Sequence, residues 1–99
     1  MNAAIAADPK FRELAAGFVR ELPARTGRLR GAANAWNRGD ARDLAHQLKG
    51  AGGGYGFDSV SELAAAVETL CVEETPQADL LRAVERLSQE CDRLAEEWA

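Results

Sequence analysis

The sequence predicts an all-α fold, an antiparallel up-and-down four-helix bundle with an additional N-terminal helix. Three observations predict it. Apolar residues recur at spacings of three and four in five successive segments, no segment alternates with period two, and the breaks between segments are short. At 99 residues the chain has the length of one domain with a single continuous core, and no repeat, linker or low-complexity tract divides residues 1–99. Residues 1–7, MNAAIAA, are expected to form a flexible lead-in.

Asp8 and Pro9 mark the first helix start, a capping side chain followed by proline at the first helical position. Phe11, Leu14, Ala15, Phe18 and Leu22 then carry an apolar stripe to an expected end near Pro23. Ala24 to Arg38 repeats the spacing as a second helix, with Thr26, Leu29, Ala33 and Trp36 on its stripe and Gly27 and Gly31 weakening it. Gly39-Asp40 is expected to close that helix, with Asp40 capping a third from Ala41 to about Gly54. Its stripe is Leu44, Leu48, Ala51 and Tyr55, and Gly56 is its natural terminator.

A fourth helix begins at Asp58 or Ser59, where Ser59 and Glu62 have the spacing of a capping box, and buries Val60, Leu63, Ala64, Val67, Leu70 and Cys71. Glu73-Glu74-Thr75-Pro76 breaks it. The last helix takes Thr75 as cap and Pro76 as first residue, with Leu80, Val84, Leu87, Cys91, Leu94 and Trp98 on one face. Arg86, Glu90, Arg93 and Glu97 fall on a solvated flank at ion-pair spacings.

Composition narrows the function. A net charge of -4 argues against nucleic acid or an anionic membrane as the main partner, because both select basic surfaces. Neither an apolar run of spanning length nor a charged-then-apolar leader is present, so the expectation is a cytoplasmic chain. Cys71 and Cys91 stand alone on apolar faces, without the paired spacing of a zinc or redox motif, and are expected to be reduced core thiols.

The segment AHQLKGAGGGYGF, residues 45–57, holds the only histidine of the chain. At about 100° per residue, His46, Lys49, Gly50 and Gly53 fall opposite the Leu44–Leu48–Ala51–Tyr55 stripe, so the imidazole is expected to face outward. Glycines at positions 50 and 53 together sacrifice roughly 2 kcal/mol of helix propensity. The gain is clearance, since a partner can approach the ring without meeting side chains. Close packing of a neighbouring helix accounts better for Gly52 and Gly54. Glu68 lies at the edge of its own helix's stripe, from which its carboxylate can accept a hydrogen bond from Nδ1–H of His46, leaving Nε2 as a nucleophile. Lys49 supplies an ammonium that can neutralise an anion held on the ring. No glycine loop with a Lys-Ser or Lys-Thr ending and no acidic cluster suited to magnesium is present.

The stretch LAHQLKGAGGGYG, residues 44–56, followed by a leucine-rich helix with Glu68, resembles the histidine-containing phosphotransfer (HPt) domains of bacterial two-component phosphorelays. His46, Leu48, Lys49, Gly50 and Gly56 match that family's His-x-Leu-Lys-Gly motif and its later glycine, and the likeness covers most of the chain. The run Gly52-Gly53-Gly54 departs from the family's commoner Ser, Ala and Asn content. The resemblance implies that His46 takes a phosphoryl group from an aspartyl phosphate on a response-regulator receiver domain and passes it to another receiver aspartate. Lys49 would steady the phosphoryl oxygens, Gly50 would permit close docking, and Glu68 would orient the imidazole.

On this reading the chain is a monomeric carrier rather than an enzyme. It has no cofactor or metal of its own, the magnesium ion belongs to the receiver, and a hybrid sensor kinase is a further partner. Arg42, Asp43, Gln47 and Phe57 join Gly50 and Gly53 as candidate docking residues. The alternative is a helical module that binds a receiver or kinase without being phosphorylated.

Overall fold

A computed structural model describes residues 8–99. It contains four helices, α1 (Pro9–Asn34), α2 (Arg38–Gly54), α3 (Asp58–Val72) and α4 (Gln77–Glu97), and no strand among the described residues. The lead-in expected over residues 1–7 lies outside the described residues. Each helix packs on the next, and α4 returns to pack on α1. The pairings run antiparallel: Arg12 lies over the Trp98 ring, whereas Arg30, far along α1, reaches back to Glu85.

The expected extra N-terminal helix is not a separate element. The first two expected helices are one 26-residue helix, α1, with Pro23 inside it. Proline removes an intrahelical hydrogen bond and crowds the preceding turn, at a cost of about 3 kcal/mol in a helix interior. Here Pro23 is exposed, while the buried stripe of Ala15, Phe18, Val19, Leu22, Thr26, Leu29 and Ala33 passes it without interruption. Each fully buried leucine contributes roughly 1.5–3 kcal/mol, so Leu22 and Leu29 on either side outweigh the break. The Thr26 hydroxyl donates towards the carbonyls of Leu22 and Pro23, both at 3.2 Å, which satisfies acceptors next to the proline.

Three of the four helices end the same way. After α1, Trp36 N–H donates to Ala33 O and Asn37 N–H to Ala32 O. After α2, Gly56 N–H donates to Gly53 O and Phe57 N–H to Gly52 O. After α3, Thr75 N–H reaches Leu70 O. Each closure places one residue in the left-handed region, Trp36 (φ 62°), Gly56 (φ 82°) and Glu74 (φ 54°), as a Schellman-type end requires. Only Gly56 is suited to it by composition. Trp36 was expected on a buried stripe. Instead it is 66 % exposed, because the helix ends at Asn34 and the turn carries its side chain away from the core.

The caps also differ from expectation. Asn37, not Asp40, caps α2: its Oδ1 accepts from Asp40 N–H at 3.1 Å, while its amide donates to Asp40 Oδ2 at 2.7 Å. Asp40 sits in the first turn, where its charge suits the helix N-terminus. The Ser59–Glu62 capping box does not form, because the Ser59 hydroxyl donates to Glu90 on α4. The last helix starts at Gln77, with Pro76 as its cap residue and the Pro76 carbonyl accepting from Asp79 and Leu80. Thr75 turns its hydroxyl back to Leu70 O at 3.1 Å.

The core is built from the inner faces of all four helices, with Leu22, Leu29, Leu48, Leu80 and Leu87 among its largest fully buried side chains. Leu14, expected on the α1 stripe, is instead exposed. Cys71 and Cys91 are buried free thiols. The Arg38 guanidinium, at the start of α2, donates to Leu70 O at 3.1 Å and to Thr75 O, tying α2 to the turn between α3 and α4.

Candidate functional site

The buried positions of α2 are Ala41, Ala45, Leu48 and Gly52, a stripe centred one residue away from the one expected. Leu44, Ala51 and Tyr55 are half-buried at its edge. His46 therefore projects from the flank of α2 above α3, and its side chain is 67 % exposed. On α3, Val60, Ala64, Val67 and Cys71 face the core, which brings Glu68 out at the α2 side. Gly52 makes this pairing close: a Cβ built on it would stand 3.1 Å from Val60 Cγ1 and 3.3 Å from Ser61 N.

The two helices meet in a three-residue cluster. Glu68 Oε2 lies 2.6 Å from His46 Nδ1, and Glu68 Oε1 lies 2.6 Å from Lys49 Nζ. The carboxylate is 20 % exposed and Lys49 35 %, so the imidazole is the most open member. Ser61 donates to the Lys49 carbonyl at 3.0 Å, adding a second tie one turn further along α2. The hydrogen bond from Lys49, and then that from His46, hold the Glu68 carboxyl below the usual carboxylate range. An ionised Glu68 only accepts, so a neutral His46 donates through Nδ1–H and keeps its lone pair on Nε2.

The glycines divide by environment. Space is open around a Cβ built on Gly50 or Gly54, whereas one on Gly53 would make ordinary contact with Ser61 Oγ at 3.5 Å. Close helix packing thus accounts for Gly52 but not for Gly54. Gly50, one turn beyond His46, leaves bare backbone beside the ring.

Beside the imidazole an open hollow of about 530 Å³ is lined by Arg42, Asp43, His46, Glu68, Thr69, Val72 and Glu73. Arg42 and Asp43 pair with each other at 3.1 Å on its rim, and Gln47 is exposed on α2. Phe57 is not part of this face. It packs against Phe18 and Trp98, with ring centroids 6.0 and 5.4 Å away, because the turn after α2 directs it into an aromatic cluster with Tyr55 and Phe11. Thr69, Val72 and Glu73 join this face without having been expected there. Val72 stands four residues after Glu68 and thus on the same face, a spacing that pointed to it. It is one of the exposed large apolar side chains.

No group of three or more His, Cys, Asp or Glu side chains able to hold a metal ion is gathered among the described residues. Among them, too, no helix is long and apolar enough to cross a membrane. What the cluster offers is an oriented imidazole with one free nitrogen, a carboxylate behind it and unobstructed space in front.

In comparisons with known proteins, a family model described as Hpt domain matches residues 13–97. Comparisons with curated proteins and with solved structures returned no match.

Proposed function

The chain belongs to the Hpt domain family, phosphocarrier modules of two-component signalling, and from that membership we propose that His46 is its phosphoryl acceptor. The observation that carries this reading is the 2.6 Å contact between Glu68 and Nδ1 on a ring that is otherwise open. Nε2 attacks the phosphorus of a receiver's aspartyl phosphate. The new N–P bond forms as the acyl O–P bond breaks, and the aspartate leaves as a carboxylate. The ring gains positive charge as it becomes phosphorylated, and the Glu68 carboxylate stabilises that charge through Nδ1–H. Transfer to a second receiver aspartate reverses these steps. Most of the barrier is met by in-line positioning and charge neutralisation, for which a rigid helix face is sufficient.

Docking engages the face around the ring. Gly50 and Gly53 give clearance, and Arg42, Asp43 and Gln47 contact the rim of the receiver, with Val72 as an apolar neighbour. A hybrid sensor kinase that carries a receiver is a partner of the same type. The receiver supplies the magnesium ion and the acidic pocket. The protein acts as a monomer in the cytoplasm, which fits the burial of the four inner faces against one another and two cysteines that remain thiols.

Incubation with a phosphorylated cognate receiver is expected to give an acid-labile, alkali-stable adduct that disappears in His46→Gln. Absence of transfer from every receiver of the source organism overturns the proposal. Receiver binding that persists in His46→Gln, with no adduct on the native protein, would establish the non-phosphorylated module instead.

A further inference from the structure

Five of the six aromatic residues of the chain gather at one end of the bundle, where α1 begins and α2 and α4 end. Buried Phe18 backs the group, its ring centroid 4.9 Å from that of Tyr55 and 6.0 Å from that of Phe57. The rings do not fill this end. Phe11, Tyr55, Phe57 and Trp98 are each half-buried and wall a hollow of about 220 Å³. An apolar cavity of roughly 150 Å³ admits benzene, so this one has room for two fused rings. Tyr55 stands nine residues beyond His46, about 13 Å along the helix axis, and the hollow is thus separate from the acceptor ring.

The polar groups on these walls are of one kind. Arg12 is exposed and holds its guanidinium 5.6 Å from the centre of the Trp98 ring, while Tyr55 brings a phenol and Trp98 an indole N–H. None of these side-chain donors meets an acceptor among the described residues. Ala15 and Gly56 complete the described lining, which therefore holds one cation and no carboxylate. Glu97 stands outside, beside Arg12 and Trp98, and is engaged by Arg93 at 2.6 Å.

We propose that this hollow is a binding site for a small planar aromatic carboxylate, with its rings between the aromatic walls and its carboxylate on the Arg12 guanidinium. Aromatic rings attract one another in offset or edge-on contact, and a guanidinium receives a carboxylate through two parallel N–H donors. A neutral ring leaves the cation unanswered. An aliphatic acid leaves the ring faces without stacking. The site goes beyond the reading of His46 as acceptor and does not depend on it.

The test is an NMR titration of the full chain, following backbone amides, with indole-3-acetate as the probe and with neutral indole-3-acetamide and aliphatic hexanoate beside it. Indole-3-acetate is expected to give saturable shifts confined to residues 11–15, 55–57 and 98. Its dissociation constant should be roughly 0.1–1 mM, the scale for a ligand of about thirteen heavy atoms. Both comparison compounds should bind about ten-fold more weakly. Arg12→Met, at an exposed position and with its fold checked by thermal melting, should weaken indole-3-acetate about ten-fold and leave indole-3-acetamide unchanged. His46→Gln should bind indole-3-acetate as the unsubstituted chain does, so that loss of phosphotransfer and loss of this site are read separately.

Equal affinity for the acid and its amide overturns the inference, as does equal affinity for hexanoate. Shifts that stay linear to about 10 mM, or that centre on another face, overturn it too. Binding that tightens ten-fold or more in Ile5→Asp would make the chain's own first residues the occupant in place of a ligand.

Discussion

Gly52 of α2 lies against Val60 of α3 so closely that an added methyl would stand 3.1 Å from Val60 Cγ1. That contact sets the separation of the two helices from which His46 and Glu68 face each other. Gly50, two residues earlier, has open space where its side chain would be.

These two glycines should therefore answer oppositely to alanine. Gly50→Ala is expected to raise stability by about 0.5–1 kcal/mol through helix propensity while slowing transfer from a receiver and leaving labelling by phosphoramidate, a small donor that needs no docking surface, unchanged. Gly52→Ala is expected to destabilise by about 1–3 kcal/mol, as overpacking does, and to slow both reactions. Thermal melts combined with the two labelling assays distinguish them. Equal loss of small-donor labelling in both variants would refute the assignment of Gly50 to docking clearance.

The helix ends give a second expectation. Trp36 and Glu74 occupy left-handed backbone, which disfavours residues with a Cβ by roughly 1–2 kcal/mol. Trp36→Gly and Glu74→Gly should each raise the unfolding free energy read from urea titration, by up to about 1 kcal/mol after glycine's own entropy is deducted. Both side chains are exposed, so little packing is lost. A fall in stability in both variants would contradict the assigned cap geometry.

Acid should weaken the fold partly through Glu90. Hydrogen bonds from Arg93, and then from Ser59, lower its carboxyl from an ordinary 4.5 to about 2. A carboxyl depressed in the folded state binds protons more readily when unfolded. Its stabilising contribution is therefore complete above pH 4.5 and is lost as pH falls towards 2. Glu68, lowered by Lys49 and His46, acts with the same sign. Glu90→Gln should be less stable than the unsubstituted protein at pH 7, and the difference should shrink over that acid range. A difference that is constant with pH would exclude the pairing as its source.

The two thiols should be inert while the protein is folded. Burial pushes Cys91 up to about 12 and raises Cys71 as well, so little thiolate exists near neutral pH. Reaction with an aromatic disulfide reagent is expected to follow the rate of unfolding, and both cysteines should react promptly in denaturant. Rapid modification of Cys91 under native conditions would show that its helix opens locally.

The sequence made the site more legible than the boundaries. His46, Lys49 and Glu68 were identifiable because helical periodicity fixes which side chains leave the core, and a one-residue error in centring the α2 stripe did not carry His46 inward. Pro23 lies inside α1 against the local rule for proline because the stripe continuing from Leu22 to Thr26 and Leu29 outweighs it, a tertiary quantity that local sequence does not carry. Trp36 was misplaced for a related reason: a helix end that closes on a non-glycine residue carries no compositional mark. Ser59 had the spacing of a cap, yet its hydroxyl was claimed by Glu90 on α4, a neighbour that spacing along α3 cannot reveal.

The imidazole, the carboxylate and the ammonium all stand on helix interiors, at least a full turn from any connection. The candidate site is thus carried by the rods and not by the joints. Extra residues or a fluorescent reporter spliced into the Ala35–Asn37 turn should leave the reaction centre in register, which makes the bundle a portable cassette whose wiring can be changed at its corners.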